Sequence, residues 1–131
     1  MKMSKYEEGL KIRREVLGEE QVEKALSTMT DFNENMQKLV TEYCWGEVWT
    51  RPGLENKQRS LINLGILTAL NRAHEFKLHV NGALRNGCTE EEIKEVLLQT
   101  AIYCGVPAAM ESFRNAKEVI DAYKESKSTN K

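Results

Sequence analysis

The stretch Thr89-Glu-Glu-Glu-Ile-Lys-Glu-Val-Leu-Leu-Gln-Thr-Ala101 decides the fold class. Thr89 with Glu92 three residues on has the pattern of a capping box. The hydroxyl can accept from the Glu92 amide while the Glu92 carboxylate reaches back to the Thr89 amide. Ile93, Val96, Leu97, Thr100 and Ala101 then recur at helical spacing and supply one apolar face. Gly87 ends the preceding segment. Tyr103-Cys104-Gly105-Val106-Pro107 closes this one, and Pro107 suits the first turn of a last helix running to about Lys124.

Working outward, the rest of the chain reads the same way. Tyr6–Leu17 predicts a helix stopped by Gly18, and a short helix follows over Glu19–Ala25. Asp31 to about Trp45 predicts another, with Phe32, Met36, Leu39, Val40 and Tyr43 as its apolar stripe. Thr50–Gly53 breaks it, because proline restricts both itself and the residue before it. Asn56 to about Arg72 carries apolar residues around most of its circumference, which predicts a central buried helix. Glu75–Asn86 is the next helix. The tail, residues 125–131, is polar and expected to fray. The expectation is one all-α domain over residues 1–131, a bundle of about six to seven helices.

Composition narrows the function classes. The chain has 131 residues, 40% hydrophobic and 30% charged, with a formal net charge of −1. Interspersed charge of that balance argues against a nucleic-acid-binding face. No apolar run approaches the ~20 residues of a membrane span. The opening residues lack the apolar core of a signal peptide, so a cytoplasmic location is expected. Cys44, Cys88 and Cys104 are odd in number and form no CxxC, which argues against a disulfide framework. His74 and His79 are five apart, the wrong spacing for a helical metal pair, and no metal is expected.

Two stretches concentrate chemistry. Trp45-Gly-Glu-Val-Trp-Thr-Arg-Pro-Gly-Leu54 packs two indoles, a carboxylate and a guanidinium before a Pro-Gly turn. Glu47 and Arg51 are four apart, a polar pair between apolar walls, as in a small-molecule pocket. Trp45 and Trp49 could equally be core or interface anchors. In Asn71–Gly87, Glu75 and His79 share a helical face, and His79 borders the stripe Phe76, Val80, Ala83 and Leu84. A histidine there, beside a carboxylate that can set its tautomer, suits general acid–base work. It suits equally a core-edge histidine satisfied by a neighbour.

These stretches, with Arg59–Arg72, Glu91–Ala109, the opening Tyr6–Gly18 and Asp31–Gln37, resemble the 4-carboxymuconolactone decarboxylases. The resemblance implies an alkylhydroperoxidase-like helical fold and homo-oligomers, typically hexamers. It also implies a dicarboxylate lactone as substrate, decarboxylated in protocatechuate catabolism without any cofactor. In that setting His79, Glu47 and Glu75 are the candidate catalytic residues. Arg51, Trp45, Trp49 and Arg72 are the candidate substrate-binding residues. The thiol-dependent hydroperoxidases of the wider superfamily use a CxxC followed by a histidine. With His79 as that histidine, the two cysteine positions hold Arg72 and Glu75, and the upstream glutamate position holds Ser60. A thiol peroxidase or redox protein therefore remains the lesser alternative. A non-catalytic helical binding module is the third.

Overall fold

The computed structural model describes residues 2–129, and every regular element among them is helical. The helices are α1 (Lys5–Leu17), α2 (Glu19–Ser27), α3 (Glu34–Leu39), a π-helical segment (Val40–Val48), α4 (Asn56–Ala69), α5 (Ala73–Arg85), α6 (Glu90–Tyr103) and α7 (Val106–Thr129). They fall into two compact units, residues up to Asn56 and residues from Lys57. The all-α expectation holds. The expected capping box is present: Thr89 Oγ1 accepts from the Glu92 amide at 3.0 Å, and Glu92 Oε1 accepts from the Thr89 amide at 2.9 Å. Ser4 and Glu7 build the same box at the start of α1, with the same spacing in the sequence.

In the first unit α1 packs on the π-helical segment through two glycines. A Cβ at Gly9 would collide with the Thr41 carbonyl oxygen, and one at Gly46 would lie 2.6 Å from the Lys5 carbonyl oxygen. Only hydrogen fits at these crossings, so the two backbones touch directly. Around the contact Val16, Leu17, Val22, Trp45 and Trp49 form the core. The helix expected over Asp31–Trp45 differs in kind from the sequence reading. It starts at Glu34 and changes at Val40 into the wider π turn, closed by Trp49 N–H donating to the Cys44 carbonyl at 3.0 Å. The buried residues are then Thr41, Trp45, Gly46 and Trp49. Of the expected stripe, Val40 packs against that core, while Phe32 is 98% exposed and Met36, Leu39 and Tyr43 are more than half exposed. The widened turn bears on Tyr43, since a 3.6-residue period does not describe the segment from Val40 on.

In the second unit α5 and α6 pack against α7. Leu64, Phe76, Val80, Ala83, Ile93, Leu97, Ala116 and Ile120 share one core. The expectation that α4 is buried all round fails. Leu64 is its fully buried large apolar side chain, with Ser60 and Thr68 beside it on the same face, while Ile62 and Ile66 are nearly half exposed. That buried face is partly polar because it carries hydrogen bonds: Asn86 Nδ2 donates to Ser60 Oγ at 2.9 Å, and the Thr68 and Ser112 hydroxyls pair at 2.7 Å. The helix also stops earlier than expected. Asn71 takes a left-handed backbone (φ 59°), which turns the chain into α5. At the other end α7 runs to Thr129, and residues 130–131 of the tail expected to fray lie outside the described residues.

Gly9→Ala is expected to destabilise the protein by about 3 kcal/mol, since backbone cannot yield as a side chain can. That corresponds to a fall of roughly 10 °C in Tm. Gly65→Ala is the control. Its added methyl meets nothing within 4 Å inside helix α4, so it should be neutral or stabilise by up to ~1 kcal/mol. Thermal unfolding of both variants checks this, and a Gly9→Ala protein that melts like the parent contradicts the close-contact account.

Candidate active site

The Trp45–Leu54 segment is set by the crossing just described. Trp45 and Trp49 are 4% and 5% exposed, with ring centroids 4.8 Å apart and planes tilted by 32°. Both indoles belong to the core of the first unit. Trp49 hydrogen-bonds the Cys44 thiol, and burial pushes that thiol's pKa up. With the rings turned inward, Glu47 and Arg51 are left exposed. Glu47 pairs with Lys5 of α1 at 3.8 Å, not with Arg51 as its spacing suggested. Both side chains are half exposed, so the pair contributes a few tenths of a kcal/mol at most. It does, however, place a cation beside the carboxylate. Arg51 follows the segment, its amide donating to the Val48 carbonyl at 3.1 Å. A π-helical segment ending in these side chains is itself a pointer, because such irregular turns concentrate at functional sites.

Sequence reading passed over Arg13. It is only 8% exposed, and its Nη1 donates to Gln37 Oε1 at 3.0 Å and Thr41 Oγ1 at 3.1 Å. Its Nε meets no acceptor among the described residues. Burial lowers its pKa, yet a guanidinium stays charged at any ordinary pH. The neighbouring Arg14 forms ion pairs with Glu19 and Glu23, so the Arg-Arg pair in the sequence does not say which member turns inward.

His79 sits in α5, one residue before buried Val80 and three after buried Phe76. It is half-buried, and its Nδ1 lies 3.4 Å from Asn63 Nδ2 of α4. Burial holds the imidazole pKa below its ordinary value, while the Glu75 carboxylate pulls it back up. Desolvation dominates because it penalises the charged form directly, whereas Glu75 is exposed and its field is screened by water. Glu75 acts on His79 through space. Arg72 is exposed just ahead of α5, beside a small cleft lined by Thr68, Glu111 and Ser112.

Larger hollows in the second unit hold none of the predicted residues. One, about 410 Å³, runs between α6 and α7 over Ile93, Leu97 and Phe113. The other, about 360 Å³, lies by Leu61, Gly65 and Tyr103. Burial makes Cys44 and Cys88 poor nucleophiles. Cys88 is buried, donates to the Lys57 carbonyl at 3.5 Å, and is pushed up to about 11 by burial and by Glu92. Among the described residues no three His, Cys, Asp or Glu side chains gather as metal ligands.

Comparison with known proteins sets this geometry in context. Residues 34–118 match the carboxymuconolactone decarboxylase family. The chain belongs to that family. It is 41% identical to the 4-carboxymuconolactone decarboxylase of Acinetobacter baylyi, over 88% of this chain and 86% of that one. It is 46% identical to the nitrosuccinic acid decarboxylase of Metarhizium robertsii, over 88% of this chain and 81% of that one. Glu47, Arg51 and His79 all fall inside the matched residues.

Two outcomes follow. The unfolded chain binds a proton at His79 near pH 6.5, and the folded chain only at lower pH. Between those values the unfolded state holds more protons, so stability falls as pH drops through that window. Urea unfolding at pH 7.5 and 5.5 should show a larger acid loss in the parent than in His79→Gln; equal losses would contradict it. At pH 8 about one Cys88 thiol in a thousand is ionised. Iodoacetamide should therefore leave Cys88 unmodified in the folded protein, and labelling as fast as a free thiol would contradict the buried placement.

Proposed function

We propose that the protein is a cofactor-free carboxy-lyase. In this reading it converts 4-carboxymuconolactone to the enol-lactone of 3-oxoadipate and carbon dioxide, as a step of protocatechuate catabolism. The observation that carries the reading is family membership combined with a half-buried imidazole that burial keeps neutral. The chemistry explains why those two suffice. The bond to the departing carboxylate breaks, and its electron pair moves through the conjugated ring onto the lactone carbonyl oxygen. Carbon dioxide leaves, and a proton returns to ring carbon. The substrate is its own electron sink, so the protein supplies only binding, charge stabilisation and a proton.

Arg51 takes the carboxylate that stays, because a guanidinium binds carboxylate bidentately and gripping the leaving one would stabilise the ground state. His79 serves the developing oxyanion, with Glu75 tuning it through space. Glu47 would repel a dianion if left bare, and Lys5 offsets that charge. Trp45 and Trp49 support the segment from beneath, and Arg72 is an auxiliary carboxylate binder. The chain works as one carboxymuconolactone decarboxylase-like domain over residues 1–131, in the cytoplasm, as a homo-oligomer of hexamer type. Exposed Phe32, Met36, Leu39 and Tyr43, with Ile102, Tyr103 and Met110, supply apolar surface for such assembly. No helix among the described residues is long and apolar enough to cross a membrane.

A second substrate class is favoured by the 46% identity to a nitrosuccinic acid decarboxylase. Nitrosuccinate is also a dicarboxylate whose departing carboxylate leaves electrons that an oxygen can hold, here on the nitro group. Both substrates ask for the same site: a cation for one carboxylate and a hydrogen-bond donor for an oxyanion.

Purified protein should consume authentic 4-carboxymuconolactone in chelator-treated, thiol-free buffer, read as loss of ultraviolet absorbance; an unchanged lactone sinks the proposal. His79→Ala should lower kcat by about 10²–10⁴ with the fold intact. Arg51→Leu should act chiefly on KM. Near-parental kinetics in either variant removes that residue from its role.

A further inference from the structure

The spacing in the sequence pairs His79 with Glu75, but an amide beside its ring comes from another helix. Asn63 Nδ2 of α4 lies 3.4 Å from His79 Nδ1. Asn63 is half-buried, one residue before fully buried Leu64, and His79 is one residue before fully buried Val80. Leu64 and Val80 share the core of the second unit, so the same packing that joins α4 to α5 holds the amide against the imidazole. Glu75 lies on the exposed first turn of α5.

We propose that Asn63 is the positioning residue for His79: its amide N–H donates to Nδ1, fixing the ring in the tautomer that carries its proton on Nε2. An amide NH₂ has only hydrogens to offer, so Nδ1 must present its lone pair. A neutral imidazole has one N–H, and with Nδ1 accepting it stands on Nε2. The arrangement also opposes protonation. An imidazolium carries a proton on Nδ1 as well, which would set two N–H groups face to face. Burial acts in the same direction. A carboxylate in the place of Asn63 would do the reverse, accepting from Nδ1–H and favouring the cation.

The consequence rests on the decarboxylase reading and deepens it. His79 held neutral with Nε2–H is a hydrogen-bond donor to the lactone oxyanion, not a cationic acid. A donor whose orientation is fixed beforehand gains strength as charge builds on the oxygen and needs no reorganisation during the reaction. The proton that returns to carbon then comes from a different acid, water included, and His79 is neutral before and after turnover.

The test is nitrogen NMR of protein labelled with ¹⁵N-histidine, near pH 7.5, with His74→Gln removing the other histidine. Long-range proton–nitrogen couplings should give a pyridine-like Nδ1 and a pyrrole-like Nε2 for His79. In the near-isosteric Asn63→Asp the two signatures should exchange, and kcat should fall about 10–100-fold with KM little changed, the usual size of an outer-shell loss. Asn63→Leu, which removes the donor without supplying an acceptor, should give a mixture of tautomers. A pyrrole-like Nδ1 in the parent overturns the proposal. So does a parent-like tautomer in Asn63→Asp. If the parent shows the expected tautomer yet leaves the lactone unchanged, the decarboxylase reading fails and the Asn63 assignment stands.

Discussion

The contact between the Gly9 position of α1 and the Thr41 carbonyl oxygen is the constraint from which the first unit follows. Two helical backbones can approach this closely only where side chains are missing, and Gly9 and Gly46 provide the two gaps. The approach sets which face of Val40–Val48 turns inward. Thr41 meets Arg13, and Trp45 and Trp49 stack in the core. Glu47 is left on the outer side beside Lys5, with Arg51 just beyond. The charged residues are therefore held by packing that has no charge of its own. Functional side chains on rigid, buried supports keep their geometry without spending binding energy on ordering.

The second unit applies burial to a different end. His79 stands at the rim of the core built by Phe76, Val80, Leu64 and their neighbours. Full exposure would leave an ordinary imidazole. At the rim it loses enough water to stay neutral while keeping its hydrogen-bonding capacity. Cys88 shows the same physics on a thiol: burial drives its pKa to about 11 and takes it out of thiolate chemistry. Desolvation thus acts on both groups by disfavouring the charged form.

Much of the fold was legible because helix signals are local. The capping box at Thr89, the stop at Gly18 and the break at Thr50–Gly53 each depend on residues within one turn, and each stands where the sequence put it. What was not legible depends on period or on partners. The π turn shifts the register from Val40 on, so Tyr43 points to solvent while Trp45 and Trp49 are buried; Phe32, Met36 and Leu39, ahead of that turn, are exposed as well. The α4 helix looked central because it is apolar, yet its buried face carries Ser60 and Thr68, bonded to Asn86 and Ser112 far along the chain. For the site, sequence located the two stretches and His79 at the edge of an apolar face. It did not find Asn63, Lys5 or Arg13, whose roles come from neighbours 16, 42 and 24 to 28 positions away. A sharper reading of Gly9 and Gly46 as helix-crossing residues was open to sequence reasoning, since glycine inside a helix needs a reason.

In the proposed reaction the protein stabilises an anion whose charge rests on the former lactone carbonyl oxygen. The most direct measurement is competitive inhibition by a stable mimic, 5-(carboxymethyl)furan-2-carboxylate, compared with the saturated lactone bearing the same carboxymethyl arm. The furan is flat and carries negative oxygen one bond beyond the position where the oxyanion forms; the saturated lactone keeps a neutral carbonyl there. Binding of the furan about 100-fold tighter or more is the predicted result, because a site complementary to the transition state favours its mimic. Equal inhibition constants would mean that the site recognises the carboxymethyl arm alone, and would contradict the account.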